Sequence, residues 1–267
     1  MQIGCCVPIA KYEQAVREGY DYVEFPGWEI ASLSYSEVSA LAEKIEAADV
    51  PCLRMNAYCK GLPAIVGPYA DQEKTRIYAE DLMKKASRLH VTCVGVGSPS
   101  ARILPEEFDL AEADLQCEEF FRITGTAAAA YGIDVLVEAV PYQLCNYLNE
   151  TEQALNMVQR LDIDHVHMVL DLYNMEMQGE SWDDVKRYIP WTRHVHISTR
   201  GEGIARCVYQ SGDEEQCLRA FRTIVDAGYD GTVSLEADAS ELVDDAGRRA
   251  LKIMREAYKH VESGEKK

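Results

Sequence analysis

The chain has 267 residues, 47% of them hydrophobic, which is enough to bury one large core. Lys plus Arg number 27 against 45 Asp plus Glu, and the resulting formal charge of −18 repels phosphate backbones, so nucleic acid is not expected as a partner. The nine cysteines are odd in number and scattered, with Cys5 and Cys6 adjacent and no C-x-x-C pair, which reads as reduced, mostly buried thiols of a cytoplasmic protein rather than a disulfide framework. The N-terminus shows no basic segment followed by a long apolar one, so no signal peptide is expected. No apolar run of about 18 residues is present, so no membrane span is expected either.

Taken in order, Ile3 to Val7 is a short apolar strand and Ala10 to Glu18 a helix. Tyr22 to Phe25 is a second strand, closed by Pro26-Gly27. A helix starting at Ser36 has Glu37 in its first turn and apolar spacing through Leu41 and Ile45. Cys52 to Met55 is a third strand, followed by a loop from Asn56 to Pro68 that holds two glycines and two prolines. Asp71 to Leu89 is a long helix, Thr92 to Val96 a strand, and Leu110 to Tyr131 an Ala-rich helix ended by Gly132. Strands at Asp134 to Val137, Val166 to Leu170, Thr192 to Ile197 and Thr232 to Leu235 follow. They alternate with helices at Thr151 to Leu161, around Trp182 to Tyr188, at Glu214 to Ala227, and at Leu242 to about Glu262.

Eight strands alternating with eight helices, without a break in composition, predict an α/β fold of the closed parallel kind, a (β/α)8 TIM barrel, for which about 250 residues suffice. The expected organisation is a single barrel domain over residues 1–262 and a frayed tail over 263–267. An open doubly wound sheet is the competing architecture. It would want a Gly-rich phosphate turn after an early strand, and G-x-G-x-x-G is absent.

The strand T-R-H-V-H-I-S from Thr192 to Ser198 is the most informative stretch. Alternation places Val195 and Ile197 on one face and His194 and His196 on the other. Three other strands end in an acid: V-L-V-E at Glu138, H-M-V-L-D at Asp171 and V-S-L-E at Glu236. Any one of these carboxylates alone reads as a helix cap or a solvated loop charge, and a lone core histidine as a satisfied hydrogen-bonding group. Glu138, Asp171, His196 and Glu236 together, on four successive strands and counted inward by twos, would converge at the C-terminal mouth of a barrel. Three carboxylates and one imidazole form a hard oxygen–nitrogen donor set that suits one divalent metal ion, Mn²⁺ or Mg²⁺ first, with Zn²⁺ and Co²⁺ also compatible. Glu24 ends the second strand and is a candidate substrate contact or a structural hydrogen-bonding group. Trp28 and Tyr58 fall in mouth loops, where they either wall a sugar-like ring or simply pack. Arg102 reads as a solvated charge or as a holder of an anionic group.

The order of elements and the strings V-E-A-V-P-Y-Q-L-C-N-Y-L-N, L-D-L-Y-N, H-V-H-I-S and A-G-Y-D-G-T-V-S-L-E resemble the xylose isomerase-like barrel superfamily. That group includes sugar phosphate isomerases and epimerases, inosose dehydratase-like enzymes and the family 2 AP endonucleases. V-G-V-G-S-P-S-A-R and N-A-Y-C-K-G-L-P-A-I-V-G-P are also similar to stretches of its members, so the resemblance covers nearly the whole chain. It implies that Glu138 and Glu236 bind the metal and also act as the acid/base pair, with Asp171 and His196 completing the coordination. It also implies a small polyhydroxy substrate, with Asn146 and Asn149 at positions matching the family pattern and Arg206 in the loop after His196, where it either contacts the substrate or forms a surface salt bridge. Asn149 is equally placed to cap the next helix.

The chain departs from the family at Asn174, where D-x-x-H members carry histidine. An amide can hydrogen-bond a substrate hydroxyl but cannot shuttle a proton; otherwise Asn174 caps a turn. The endonucleases of the superfamily use many more histidines than the six present here, which with the acidic balance argues against nuclease activity. The expected activity is a metal-dependent sugar or sugar phosphate isomerase or epimerase, in which glutamates move protons through an enediolate. A dehydratase of a cyclic polyol ketone is the alternative within enzymes, and a non-catalytic carbohydrate-binding barrel the alternative outside them. A homo-oligomer is compatible with the sequence.

Overall fold

In a computed structural model of the chain, which describes residues 1–264, eight parallel strands close into a barrel. The strands are β1 (Gln2–Cys6), β2 (Tyr22–Pro26), β3 (Cys52–Asn56), β4 (Cys93–Val96), β5 (Asp134–Val137), β6 (Val166–Asp171), β7 (Thr192–Ile197) and β8 (Thr232–Leu235). They follow one another around the barrel in chain order, and β8 pairs with β1 to close it.

Alternation decides what each side of the wall holds. Outward residues such as Val94, Val96, Val135, Val137, Met168, Leu170, Val195 and Ile197 join the apolar faces of the surrounding helices in one continuous core. Inward residues are far more polar, and among the described residues Cys93, Leu136 and Val169 form a separate small apolar cluster. Below the mouth, Tyr22 Oη lies 2.9 Å from Ser234 Oγ. Gly4 is required beside that ring, because a Cβ on it would stand 2.4 Å from the Tyr22 ring atoms. In register, Cys6 pairs with Glu24, Asp171 with His196 and Ser234 with His196, so the polar side chains of neighbouring strands stack in layers toward one end.

Two helices fall where the sequence pattern predicts none. Gly27–Ser32 follows directly on β2, and Leu172–Gln178 follows directly on β6. Both are shorter than the stretch of about 11 residues over which helical periodicity can be read. The helix expected from Ser36 begins at Tyr35, with Ser34 and Glu37 forming a capping box. The final helix is Ala246–Glu262. Of the tail expected over 263–267, the Ser263 and Gly264 N–H groups donate to the Lys259 and Val261 carbonyls at 3.0 and 3.1 Å. The rest of that tail lies outside the described residues. Among the described residues no helix is long and apolar enough to cross a membrane.

Candidate active site

Glu138, Asp171, His196 and Glu236 meet at the C-terminal ends of β5 to β8, with one ligand atom from each lying within 4.8 Å of the others. Each is aimed by its local backbone. Asp171 is the last residue of β6 and the N-cap of Leu172–Gln178. Its Oδ1 accepts from the N–H groups of Tyr173 and Asn174 at 2.8 and 3.1 Å, which leaves Oδ2 for the mouth. His196 lies on β7 with no solvent exposure, its Nδ1 3.6 Å from Glu138 Oε1 and 3.4 Å from Glu236 Oε2. Glu236 follows β8, where its N–H donates to the Ile197 carbonyl at 3.0 Å. Glu138 follows β5. Its carboxylate fits because Gly97, just past the end of the neighbouring β4, faces it, where a Cβ would come within 2.5 Å of Oε2.

Around this cluster stand three side chains. Asn56, the last residue of β3, donates its Nδ2 to Glu236 Oε1 at 3.0 Å. Asn174 donates its Nδ2 to Glu138 Oε1 at 3.3 Å and to the Ala139 carbonyl at 3.0 Å. Arg206 comes from a short antiparallel pair, Thr199–Arg200 with Arg206–Cys207, in the loop after β7. Its Nη2 donates to Asp171 Oδ2 at 2.6 Å and to Asn174 Oδ1 at 2.7 Å. Its Nη1 stands 2.9 Å from Glu236 Oε2 but is left without a hydrogen bond, so that contact is an ion pair only. The guanidinium stacks on the Tyr173 ring at 4.3 Å. Each glutamate is therefore held through Oε1 by an asparagine amide.

The buried charges of the cluster interact strongly with one another. Burial pushes the Glu236 carboxyl up to about 7, against the pull of Arg206 and His196. Burial also opposes ionisation of Asp171, but Arg206 and then His196 outweigh it and hold the group below its ordinary range. His196 is likewise disfavoured as a cation by burial, yet Glu236 and Glu24 raise it well above the ordinary imidazole. His196 Nδ1 and Glu236 Oε2 are buried without hydrogen-bond partners. These two buried atoms without hydrogen bonds, beside further carboxylates in an oxygen–nitrogen donor set, belong to a group of Glu138, Asp171, His196 and Glu236 that could hold a divalent metal ion when His196 is neutral.

Several sequence candidates lie elsewhere. Glu24 lies inside the barrel at 1% exposure, with both oxygens against imidazole nitrogens of His194 and His196. His194 is satisfied on both nitrogens, by Glu24 at 2.9 Å and by Thr232 Oγ1 at 2.9 Å. Tyr58 is fully buried, its ring edge-on to Tyr78 and Phe120, because the chain past β3 turns inward under the helices Gln72–Arg88 and Leu110–Ala129. Asn146 pairs through both amide atoms with the backbone of Leu104, at 2.8 and 2.9 Å, and ties two loops together away from the cluster. Asn149 spans the Val140 and Cys145 carbonyls, while Glu150 caps the helix that follows. Trp28 lies under Lys60, 4.4 Å from its ring. Arg102 is not solvated: at 1% exposure it donates to the carbonyls of Gly97 and Glu138. Asn56 is the contact the sequence did not reveal. It stands in the string N-A-Y-C-K-G, where an asparagine before a Gly/Pro-rich loop reads as a loop residue.

The chain belongs to the xylose isomerase-like TIM barrel family, whose model matches residues 12–261. Among solved structures it is similar to D-allulose 3-epimerase from Methylomonas sp., at 15% identity and TM-score 0.77 over 97% of each chain. It is also similar to 3-keto-D-glucoside 4-epimerase from E. coli, at 17% identity and TM-score 0.73 over 96% of this chain and 99% of that one. AP endonuclease family 2 from Brucella melitensis aligns at 18% identity and TM-score 0.69, over 93% of this chain and 100% of that one. A comparison with curated proteins finds no match by sequence.

Proposed function

We propose that this protein is a divalent-metal-dependent sugar isomerase or epimerase. The observation that carries the reading is the buried cluster of Glu138, Asp171, His196 and Glu236, whose ligand atoms lie within 4.8 Å of one another. The sugar epimerases of the same fold support the class of substrate, a small polyhydroxy ketone. When bound, a divalent ion, Mn²⁺ by preference, supplies positive charge that polarises a carbonyl and favours an enediolate.

The chain's own groups do the rest. Glu138 and Glu236 approach the mouth from β5 and β8, with β6 and β7, the strands of Asp171 and His196, between them. One removes the proton from the carbon next to the substrate carbonyl, and the other returns a proton to the opposite face. The Asn174 and Asn56 amides hold one oxygen of each glutamate, which leaves the second oxygen of each for the proton. Arg206 adds fixed positive charge beside Asp171 and Glu236, where negative charge would develop on an enediolate. Incubation with Mn²⁺ and a panel of ketopentoses and ketohexoses, with products separated by chromatography, should yield a carbon-3 epimer or an aldose. Glu138→Gln should abolish that conversion while leaving the fold intact. Sugar binding without conversion would favour a carbohydrate-binding barrel instead.

A further inference from the structure

Beneath the four-residue cluster lies a second polar layer to which the function above assigns no role. Glu24, on β2, is its centre, and its carboxylate is shared. Oε2 lies 2.9 Å from His194 Nε2, 3.1 Å from His196 Nε2 and 3.3 Å from Cys6 Sγ, while Oε1 lies 3.2 Å from His196 Nε2. Glu24 and His194 are each 1% exposed and His196 not at all, so no water competes for these contacts. An ionised carboxylate only accepts hydrogen bonds. Both imidazoles must therefore present N–H at Nε2. For His194 this is accommodated at the other nitrogen, where the Thr232 hydroxyl, 2.9 Å away, can donate to Nδ1. For neutral His196, the form a metal ion requires, it leaves Nδ1 as the nitrogen with the lone pair, and that atom faces Glu138 and Glu236 at 3.6 and 3.4 Å with no hydrogen-bond partner of its own. The His194 ring stands at 89° to the His196 ring, centroids 4.8 Å apart, and so limits its tilt.

We propose that Glu24 is a positioning residue that fixes the Nε2–H form of His196, so that Nδ1 is the nitrogen offered to the metal, with His194 and Thr232 holding Glu24 in place. This rests on the metal reading of the upper cluster. Glu24, His194 and His196 also form a group whose ligand atoms lie within 4.8 Å of one another. They are not a second metal site, because both Nε2 atoms carry protons directed at the carboxylate and have no lone pair to give.

Calorimetry with Mn²⁺ on the metal-free full-length protein, wild type and Glu24→Gln, tests this together with ¹⁵N-imidazole NMR of the wild type loaded with diamagnetic Zn²⁺. The expected result is one Mn²⁺ per wild-type chain and an affinity weakened roughly 10–100-fold in Glu24→Gln. The wild-type spectrum should show His196 with a protonated Nε2 and a metal-shifted Nδ1, a signature that a purely structural role for Glu24 does not demand. It is read without any variant, so failure of Glu24→Gln to fold does not blunt the test. Unchanged Mn²⁺ affinity in a folded Glu24→Gln protein, His196 attached through Nε2, or a second metal held at Glu24 would each overturn the proposal. A wild-type protein that takes up neither ion would overturn the metal reading itself, and this inference with it.

Discussion

The Arg206 guanidinium donates to the Asn174 amide oxygen at 2.7 Å, and the same amide donates to Glu138 Oε1 at 3.3 Å and to the Ala139 carbonyl at 3.0 Å. Both amide hydrogens of Asn174 are thus already engaged, which leaves it one acceptor lone pair for anything else. Asn174 links Arg206 to Glu138. Asn174→Ala is predicted to lower kcat/KM by about five-fold, the worth of about 1 kcal/mol from one hydrogen bond, without reducing the metal content. Steady-state kinetics beside elemental analysis check it; loss of the metal would show Asn174 to be part of the coordination.

Gly97→Ala is predicted to damage turnover far more than stability. Its Cβ would stand 2.5 Å from Glu138 Oε2, and the carboxylate has to move by a sizeable fraction of an ångström to escape. Displacement of a reacting group on that scale costs up to about 100-fold in rate. A thermal unfolding midpoint close to wild type, measured with kcat on the same sample, distinguishes this from simple misfolding.

Arg102 should matter to stability in the opposite proportion. It is buried, and its guanidinium satisfies the carbonyls of Gly97 and Glu138 at the ends of β4 and β5. Arg102→Met keeps much of the volume but removes both donors. Leaving two buried carbonyls unpaired is predicted to cost roughly 2–4 kcal/mol in urea unfolding.

The acidic limit of stability has a named contributor in His167 on β6. Burial, aided by the nearby Arg193, lowers its pKa below 6.5. A lowered folded-state pKa means that the unfolded chain takes up the proton first on acidification. The contribution of neutral His167 is therefore fully present above about pH 6.5 and is lost as the pH falls below it. His167 is half-buried, so the effect is modest. The prediction is that His167→Gln loses less of its thermal midpoint than wild type between about pH 7 and about pH 5. Equal losses would remove His167 from the account.

Much of this arrangement is legible in the sequence, because period-two alternation is a local property. β5, β7 and β8 can be bounded from apolar runs, and Glu138, Asp171, His196 and Glu236 can be counted inward without knowing the fold in detail. Depth is not local. Glu24 is inward as well, but it stands in register with Cys6 one layer beneath the mouth, and that depends on how far each strand slides against its neighbours. Tyr58 and Asn146 sit in loops, where periodicity says nothing and long-range partners, the Phe120 ring and the Leu104 backbone, decide the direction. Asn56 was missed for the same reason, since its partner Glu236 lies 180 residues away.

The central claim is that Glu138 and Glu236 exchange protons with the carbon beside a substrate carbonyl. Incubating the Mn²⁺-loaded protein with candidate ketoses in heavy water, and reading deuterium at that carbon by NMR, tests it most directly. The account predicts deuterium at the carbon next to the carbonyl, with incorporation lost in both Glu138→Gln and Glu236→Gln. Conversion of a ketose without any deuterium uptake, or uptake that survives both substitutions, would contradict it.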